Sequence, residues 1–130
     1  DPVWKRRYKH VLDFEAMLAE EGTVIIKLFL NISKAEQKKR LESRLQEPDK
    51  LWKFCMDDLD DRNRWDEFQT AYQDLIEKTS TPEAPWYIIP ADRKWYRNLV
   101  VARLMVEKLR HLQLSLPTPN FDPASIIIPD

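Results

Sequence analysis

The sequence predicts an α/β fold with parallel strands, and three observations carry that prediction. Two apolar runs stand far apart, Thr23 to Leu30 and Trp86 to Ile89, and both are rich in β-branched or aromatic residues. Neither alternates polar with apolar side chains, which reads as strands covered on two faces. Segments with apolar residues at three- and four-residue spacing precede, separate and follow them, so the order is helix, strand, helices, strand, helix. Strands joined through helices in this way run parallel.

Each element has its own signal. From Pro2 to Glu21 the residues Trp4, Tyr8, Val11, Met17 and Leu18 form an irregular apolar face; Pro2 suits a first turn, and Gly22 sits where a glycine ends a helix. After the first strand, Ser33 and Glu36 make a capping box. The helix they open runs to about Leu45 and stops before Pro48, with Leu41 and Leu45 facing inward and Arg40 and Arg44 one turn apart on a neighbouring face. Residues 47–54 read as a loop. A short helix follows from about Asp57 to Arg62, and a longer one carries Trp65, Phe68, Tyr72, Leu75 and Ile76 on one stripe. Thr79 to Pro85 is a connector with two prolines. Pro90 ends the second strand, and Asp92 is placed to cap a last helix with Trp95, Leu99, Ala102, Val106 and Leu109 at helical spacing. Beyond Leu116 the chain is Pro-rich and reads as an extended tail over 117–130.

Charge is sorted by sign between Ser33 and Arg62. Lys34, Lys38, Lys39, Arg40, Arg44, Lys50 and Lys53 outnumber the acids near them, after which Asp57, Asp58, Asp60, Asp61, Asp66 and Glu67 reverse the balance. A cationic helix in a chain of net charge -1 suits an anion held at one place rather than a polyanion coat. Arg40 and Arg44, with Lys50 and Lys53 after them, lie downstream of the first strand, and ligands of open α/β sheets sit beyond the strands' carboxyl ends. Two places qualify: Asn31-Ile32-Ser33 and Pro90-Ala91-Asp92. The competing reading is local pairing, Glu36 with Arg40 and Asp58 with Arg62, each one turn apart on a helix surface.

Composition excludes several classes. A length of 130 residues with 43% apolar and 33% charged content fits one folded domain or a piece of one. Cys55 is the single cysteine, so no internal disulfide forms, and a reducing cytoplasm is the expected compartment. No apolar run is long enough to span a membrane. Gly22 is the single glycine, so neither glycine-rich phosphate loop can be built from these residues. The acidic cluster at 57–61 lacks the glycine and distant glutamate of a calcium loop, and its charge suits a helix N-terminus instead, so no metal ligand is assigned. His10 and His111 have no partner that makes either a catalytic base, and Cys55 reads as structural. Trp52 and Phe54 beside Lys50 and Lys53 mix aromatic and basic residues as single-strand binders do. A pI near 6.2 without a basic stripe weighs against nucleic acid. The chain begins at Asp1 rather than Met, which is expected of a piece of a longer protein.

Several spaced motifs together resemble one family. Ile32-Ser33-Lys34-x-Glu36-Gln37-x-x-Arg40-Leu41-x-x-Arg44 is followed by Pro48-x-Lys50-x-Trp52-Lys53-Phe54 and by Asp58-x-x-x-Arg62-x-x-Trp65-Asp66. Thr79-Ser80-Thr81, Ala84-Pro85-Trp86-Tyr87 and Pro90-Ala91-Asp92-x-Lys94 then come in order. This pattern is similar to the polyphosphate kinase 2 family, over about Trp4 to Pro123, and the run 90–96 looks most like the branch that uses AMP as well as ADP. The resemblance implies part of a three-layer P-loop kinase-type parallel sheet with a helical lid, residues 1–116 being the C-terminal portion of such a domain and about 34–64 the lid. It implies phosphoryl transfer between inorganic polyphosphate and AMP or ADP, with Mg²⁺ in the intact enzyme held by ligands outside this chain. The Walker A and B elements lie upstream of what is matched, so the chain by itself is expected to be inactive and to hold no catalytic residue. By motif position Arg40, Arg44, Lys50, Lys53 and Arg62 fall in or beside the lid and would contact phosphate, Arg40 and Arg44 foremost. Trp52, Trp65 and Trp86 are assigned to packing. Cys55 stands where a polar cap is expected, which would weaken the start of the following helix. Open strand edges predict self-association, hence a homo-oligomer. A non-catalytic α/β interaction module is the alternative, and a single-strand nucleic-acid binder a third reading.

Overall fold

The computed structural model describes residues 2–129. Helix α1 (Pro2–Glu20) leads into strand β1 (Lys27–Asn31), helix α2 (Lys34–Gln46), a 3₁₀ segment (Pro48–Lys53), helices α3 (Asp57–Asn63) and α4 (Trp65–Thr79), strand β2 (Trp86–Pro90) and helix α5 (Lys94–His111). A single 3₁₀ turn, Pro123–Ser125, interrupts the irregular tail.

Helix α1 ends in a glycine turn. Gly22 has φ +82°, its N–H donates to the Ala19 carbonyl at 3.0 Å, and the Thr23 N–H reaches back to Leu18 at 2.9 Å. Those two bonds satisfy carbonyls the helix end would leave open, and only glycine adopts that φ without strain.

The strands pair in parallel, Lys27 opposite Trp86 through Asn31 opposite Pro90. Helices cover both faces of the pair. On one, Phe29 meets Tyr72 of α4 with ring centroids 5.1 Å apart, and Lys27 reaches Glu15 of α1. On the other, Lys108 of α5 lies 5.7 Å over the Tyr87 ring. The first strand is shorter than its sequence suggests, the second takes in Pro90, and both are less covered than expected. Regular pairing begins at Lys27 rather than Thr23, and Val24, Leu30 and Ile88 remain exposed. Two strands have only each other to pair with, and only the length that faces a neighbour becomes a ladder.

Lys27 is the organising residue. Its side chain is 8% exposed, and its ammonium donates to Glu15 Oε2 at 2.7 Å and to the Thr79 carbonyl at 2.6 Å, with the Trp86 ring 5.4 Å away. Thr79 is itself fully buried; its hydroxyl donates to the Leu75 carbonyl at 2.6 Å and accepts from Trp86 Nε1 at 2.9 Å. One lysine therefore joins α1, the end of α4 and both strands. The neighbouring hydroxyls complete the connector: Ser80 accepts from the Trp86 N–H and Thr81 from the Ala84 N–H.

Other expectations need correction. Residues 48–53 are a 3₁₀ helix, since Pro48 can start a tight helical turn where its missing N–H costs nothing. Leu41 is buried, but Leu45 is 53% exposed. In α5 the predicted stripe of Trp95, Leu99, Val106 and Leu109 is exposed, while Val100, Val101, Leu104 and Lys108 are half-buried. That helix is apolar on two sides, and periodicity cannot choose between them. Trp52 is 78% exposed, not packed, with Lys53 Nζ 5.1 Å over its ring; Trp65 and Trp86 are half-buried as expected.

Cutting the lysine out leaves a carboxylate and a carbonyl buried without their donor. Lys27→Met is expected to cost about 3–5 kcal/mol in urea denaturation, and Lys27→Met/Glu15→Leu to recover much of it, because a buried pair replaced whole leaves no orphan charge.

Candidate functional site

The carboxyl ends of the two strands form a cleft of about 520 Å³, with Asn31, Ser33, Lys34, Trp65, Ala91, Arg93 and Tyr96 among its lining. Three hydrogen bonds build its floor. The Ala91 N–H donates to the Asn31 carbonyl at 2.8 Å, carrying the ladder past the strands. The Ser33 hydroxyl accepts from the Glu36 N–H at 3.1 Å as the cap of α2. The Ser33 N–H donates to Asp92 Oδ1 at 2.7 Å, a residue 59 positions away.

That last bond changes the predicted capping box. Glu36 was to reach back to the Ser33 N–H; Asp92 takes that donor, and Glu36 accepts instead from Arg40 Nε at 2.8 Å. Asp92 accordingly does not cap α5, whose N-cap is Arg93 with no side-chain bond. The backbone N–H of Ser33, then its hydroxyl, hold the Asp92 carboxyl below the ordinary 3.8.

The five phosphate candidates are placed as follows. Arg40 pairs with Glu36 and also donates through Nη2 to the Ala91 carbonyl at 2.8 Å and the Asp92 carbonyl at 3.3 Å. It moors α2 beside the strand ends. Arg44 donates through Nη1 to Asp58 Oδ2 at 3.0 Å and, at 3.3 Å, to the Lys53 carbonyl. Lys50 pairs with Glu47, whose carboxyl is lowered first by Lys50 and next by the Ser43 hydroxyl. Lys53 lies over Trp52. Arg62 donates to the Lys34 carbonyl at 2.8 Å and to Gln37 Oε1 at 2.9 Å.

So Glu36 and Arg40 pair as local spacing suggests, whereas Asp58 pairs with Arg44 on α2 rather than with Arg62. Helix α3 is fastened to α2 at two points, Arg44–Asp58 and Arg62–Gln37. Cys55 is exposed, and the N-cap of α3 is Met56 rather than Cys55, with no side-chain bond. Among the described residues no group of three or more His, Cys, Asp or Glu side chains could hold a metal ion. Sequence reasoning did not select Lys34, Arg93 and Tyr96 for the cleft. The available signal was position: Lys34 and Arg93 each stand three residues past a strand's carboxyl end, and Tyr96 follows in the first turn of α5.

These features define an α/β protein with its cleft past the ends of parallel strands and a basic helix moored at its rim. Comparison with known proteins says which. A model of the polyphosphate kinase 2 (PPK2) family matches residues 1–116. An AMP/ADP-polyphosphate phosphotransferase of Meiothermus ruber is 52% identical over 126 residues, covering 97% of this chain and 47% of that protein. An uncharacterized protein of Leptolyngbya boryana is 47% identical over 116 residues, 89% of this chain and 85% of its own length. The crystal structure of polyphosphate kinase 2 from Arthrobacter aurescens TC1 superposes with a TM-score of 0.89 at 49% identity, over 93% of this chain and 43% of that one. The chain belongs to the polyphosphate kinase 2 family. It spans about half the length of the Meiothermus relative and corresponds to that protein's C-terminal portion.

The depressed carboxyl gives a titration with a defined sign. A lowered group adds stability that is present above its ordinary value and lost as pH falls through the lowered one. The Asp92 contribution is therefore complete above the ordinary 3.8 and disappears below it. In an NMR titration Asp92 is expected to protonate below 3.8, and Ser33→Ala to move it only part of the way back, because the backbone N–H remains.

Proposed function

We propose that this chain is the C-terminal part of a polyphosphate-dependent nucleotide kinase, moving a phosphoryl group between inorganic polyphosphate and AMP or ADP. Residues 1–116 make up this portion of a P-loop kinase-type domain, about 34–64 its lid, and 117–130 a tail outside the fold. The observation that carries the reading is Arg40 bonded to the Ala91 carbonyl at 2.8 Å, which holds the basic face of α2 beside the strand-end cleft. Family membership supplies the chemistry, and the mooring supports where the lid acts.

In this reading the lid cations screen charge on the transferring group and on the polyphosphate tail. Arg44 is partly exposed and turns from its protein acceptors to phosphate oxygens, and Lys53 leaves the Trp52 ring for them; Arg62 keeps its Nη1 bonds to Lys34 and Gln37 and offers Nη2; Arg40 keeps its carbonyls and offers Nη1; Lys50 exchanges Glu47 for phosphate. Mg²⁺ and the Walker elements belong to the part of the enzyme outside this chain, and the chain by itself is inactive. Its setting is the cytoplasm. The unpaired outer edges of β1 and β2 favour a homo-oligomer. The exposed stripe on α5 favours a second reading, a non-catalytic module that binds another protein through that helix.

Titration of the chain with long-chain polyphosphate, with heparin as control polyanion, separates these. The kinase reading expects a preference for polyphosphate that drops at least about tenfold in Arg40→Ala/Arg44→Ala, since each lost charge-assisted bond is worth roughly 1.5–3 kcal/mol. Equal weak binding of both polyanions, unmoved by the double substitution, would make the arginines plain helix-surface charges. Light scattering on the same samples checks self-association; a monodisperse monomer counts against it.

A further inference from the structure

We propose that Asp58 competes with phosphate for Arg44, so that its carboxylate positions the guanidinium and sets how tightly the lid takes a polyanion. The inference rests on the function proposed above, since it needs Arg44 to meet phosphate. Asp58 Oδ2 accepts from Arg44 Nη1 at 3.0 Å, and both side chains are 36% exposed. A carboxylate and a phosphate offer a guanidinium the same thing, paired anionic oxygens. A pair this open to water is weak and exchanges readily.

The surroundings make the exchange mechanically possible. Backbone contact between α2 and α3 is sparse. Arg44 can therefore leave Asp58 without parting closely apposed backbones. The Arg62 bonds to Lys34 and Gln37 keep α3 tethered while Arg44 turns. The other acceptor of Arg44, the Lys53 carbonyl at 3.3 Å, is a long contact. Arg40 differs in kind: two of its acceptors are backbone carbonyls at the strand ends, which no anion displaces without moving the turn.

The test titrates the 130-residue chain with long-chain inorganic polyphosphate in four forms: unaltered, Asp58→Asn, Arg44→Ala and both together. Circular dichroism and a urea midpoint accompany each, and Asp58→Ser replaces Asp58→Asn should the latter lose helix. Removing the competitor is expected to tighten binding about two- to fivefold, the range an exposed pair is worth. The gain should vanish in the Arg44→Ala background and shrink as salt rises. Binding that is lost with Arg44→Ala but unimproved or weakened by Asp58→Asn overturns the competition and leaves the lid reading standing. No preference of the unaltered chain for polyphosphate over heparin, together with no effect of Arg44→Ala, removes the lid reading and the competition with it.

Discussion

Everything in this chain hangs on a lysine that ought to be in water. Lys27 begins β1, and removing an ammonium from solvent costs several kcal/mol unless it is paired and hydrogen-bonded. Here the compensation is Glu15, 13% exposed and 2.7 Å away, with the Thr79 carbonyl as a second acceptor. No buried side-chain nitrogen or oxygen among the described residues lacks a partner. Because the three groups come from α1, β1 and the end of α4, satisfying one charge fixes where three elements meet. The apolar core alone would not: its buried hydrophobic residues are Leu41, Ala84, Ile89 and Ala91, and three of those four flank β2 or lie within it.

The opposite end of the sheet is organised by competition for hydrogen bonds rather than by burial. The Ser33 N–H could have gone to Glu36, Asp92 could have capped α5, and Asp58 could have paired along its own helix with Arg62. Each local option gives way to a long-range one. The result joins α2 to the β2–α5 turn through Ser33–Asp92 and Arg40–Ala91, and α3 to α2 through Arg44 and Arg62. Charge-assisted bonds to fixed backbone carbonyls are strong and directional; the exposed pairs between α2 and α3 are weak. A firm mooring at Arg40 and a weaker pair at Arg44 thus sit side by side on one basic helix.

The uncovered surfaces are consistent with the length comparison. Two strands with open edges, an exposed apolar stripe on α5 and exposed Leu30 and Ile88 belong to a chain that spans 47% of its Meiothermus relative and 43% of the Arthrobacter structure. Apolar residues that periodicity assigns to a core and this chain leaves in water mark where further covering would go. Val24 and the stripe from Trp95 to Leu109 are of that kind.

What the sequence determined by itself is considerable. Element order, the parallel pair, the glycine turn at Gly22 and the Ser33 cap follow from local chemistry: backbone sterics, orphan helix N–H groups and the period of apolar residues. Spaced motifs sufficed for the family, because several had to occur together and in order. Local rules also set Glu36–Arg40, whose partners are one helical turn apart. They could not set Lys27–Glu15, Ser33–Asp92 or Arg44–Asp58, whose partners are 12, 59 and 14 residues apart. Nor could they tell which side of α5 meets the sheet, why Trp52 stays in water, or that Lys34, Arg93 and Tyr96 share a cleft. Sequence spacing measures distance only along one helix or strand. Which acceptor wins a donor, and which apolar face is covered, depends on what other elements bring within about 3 Å, and only the tertiary structure decides that.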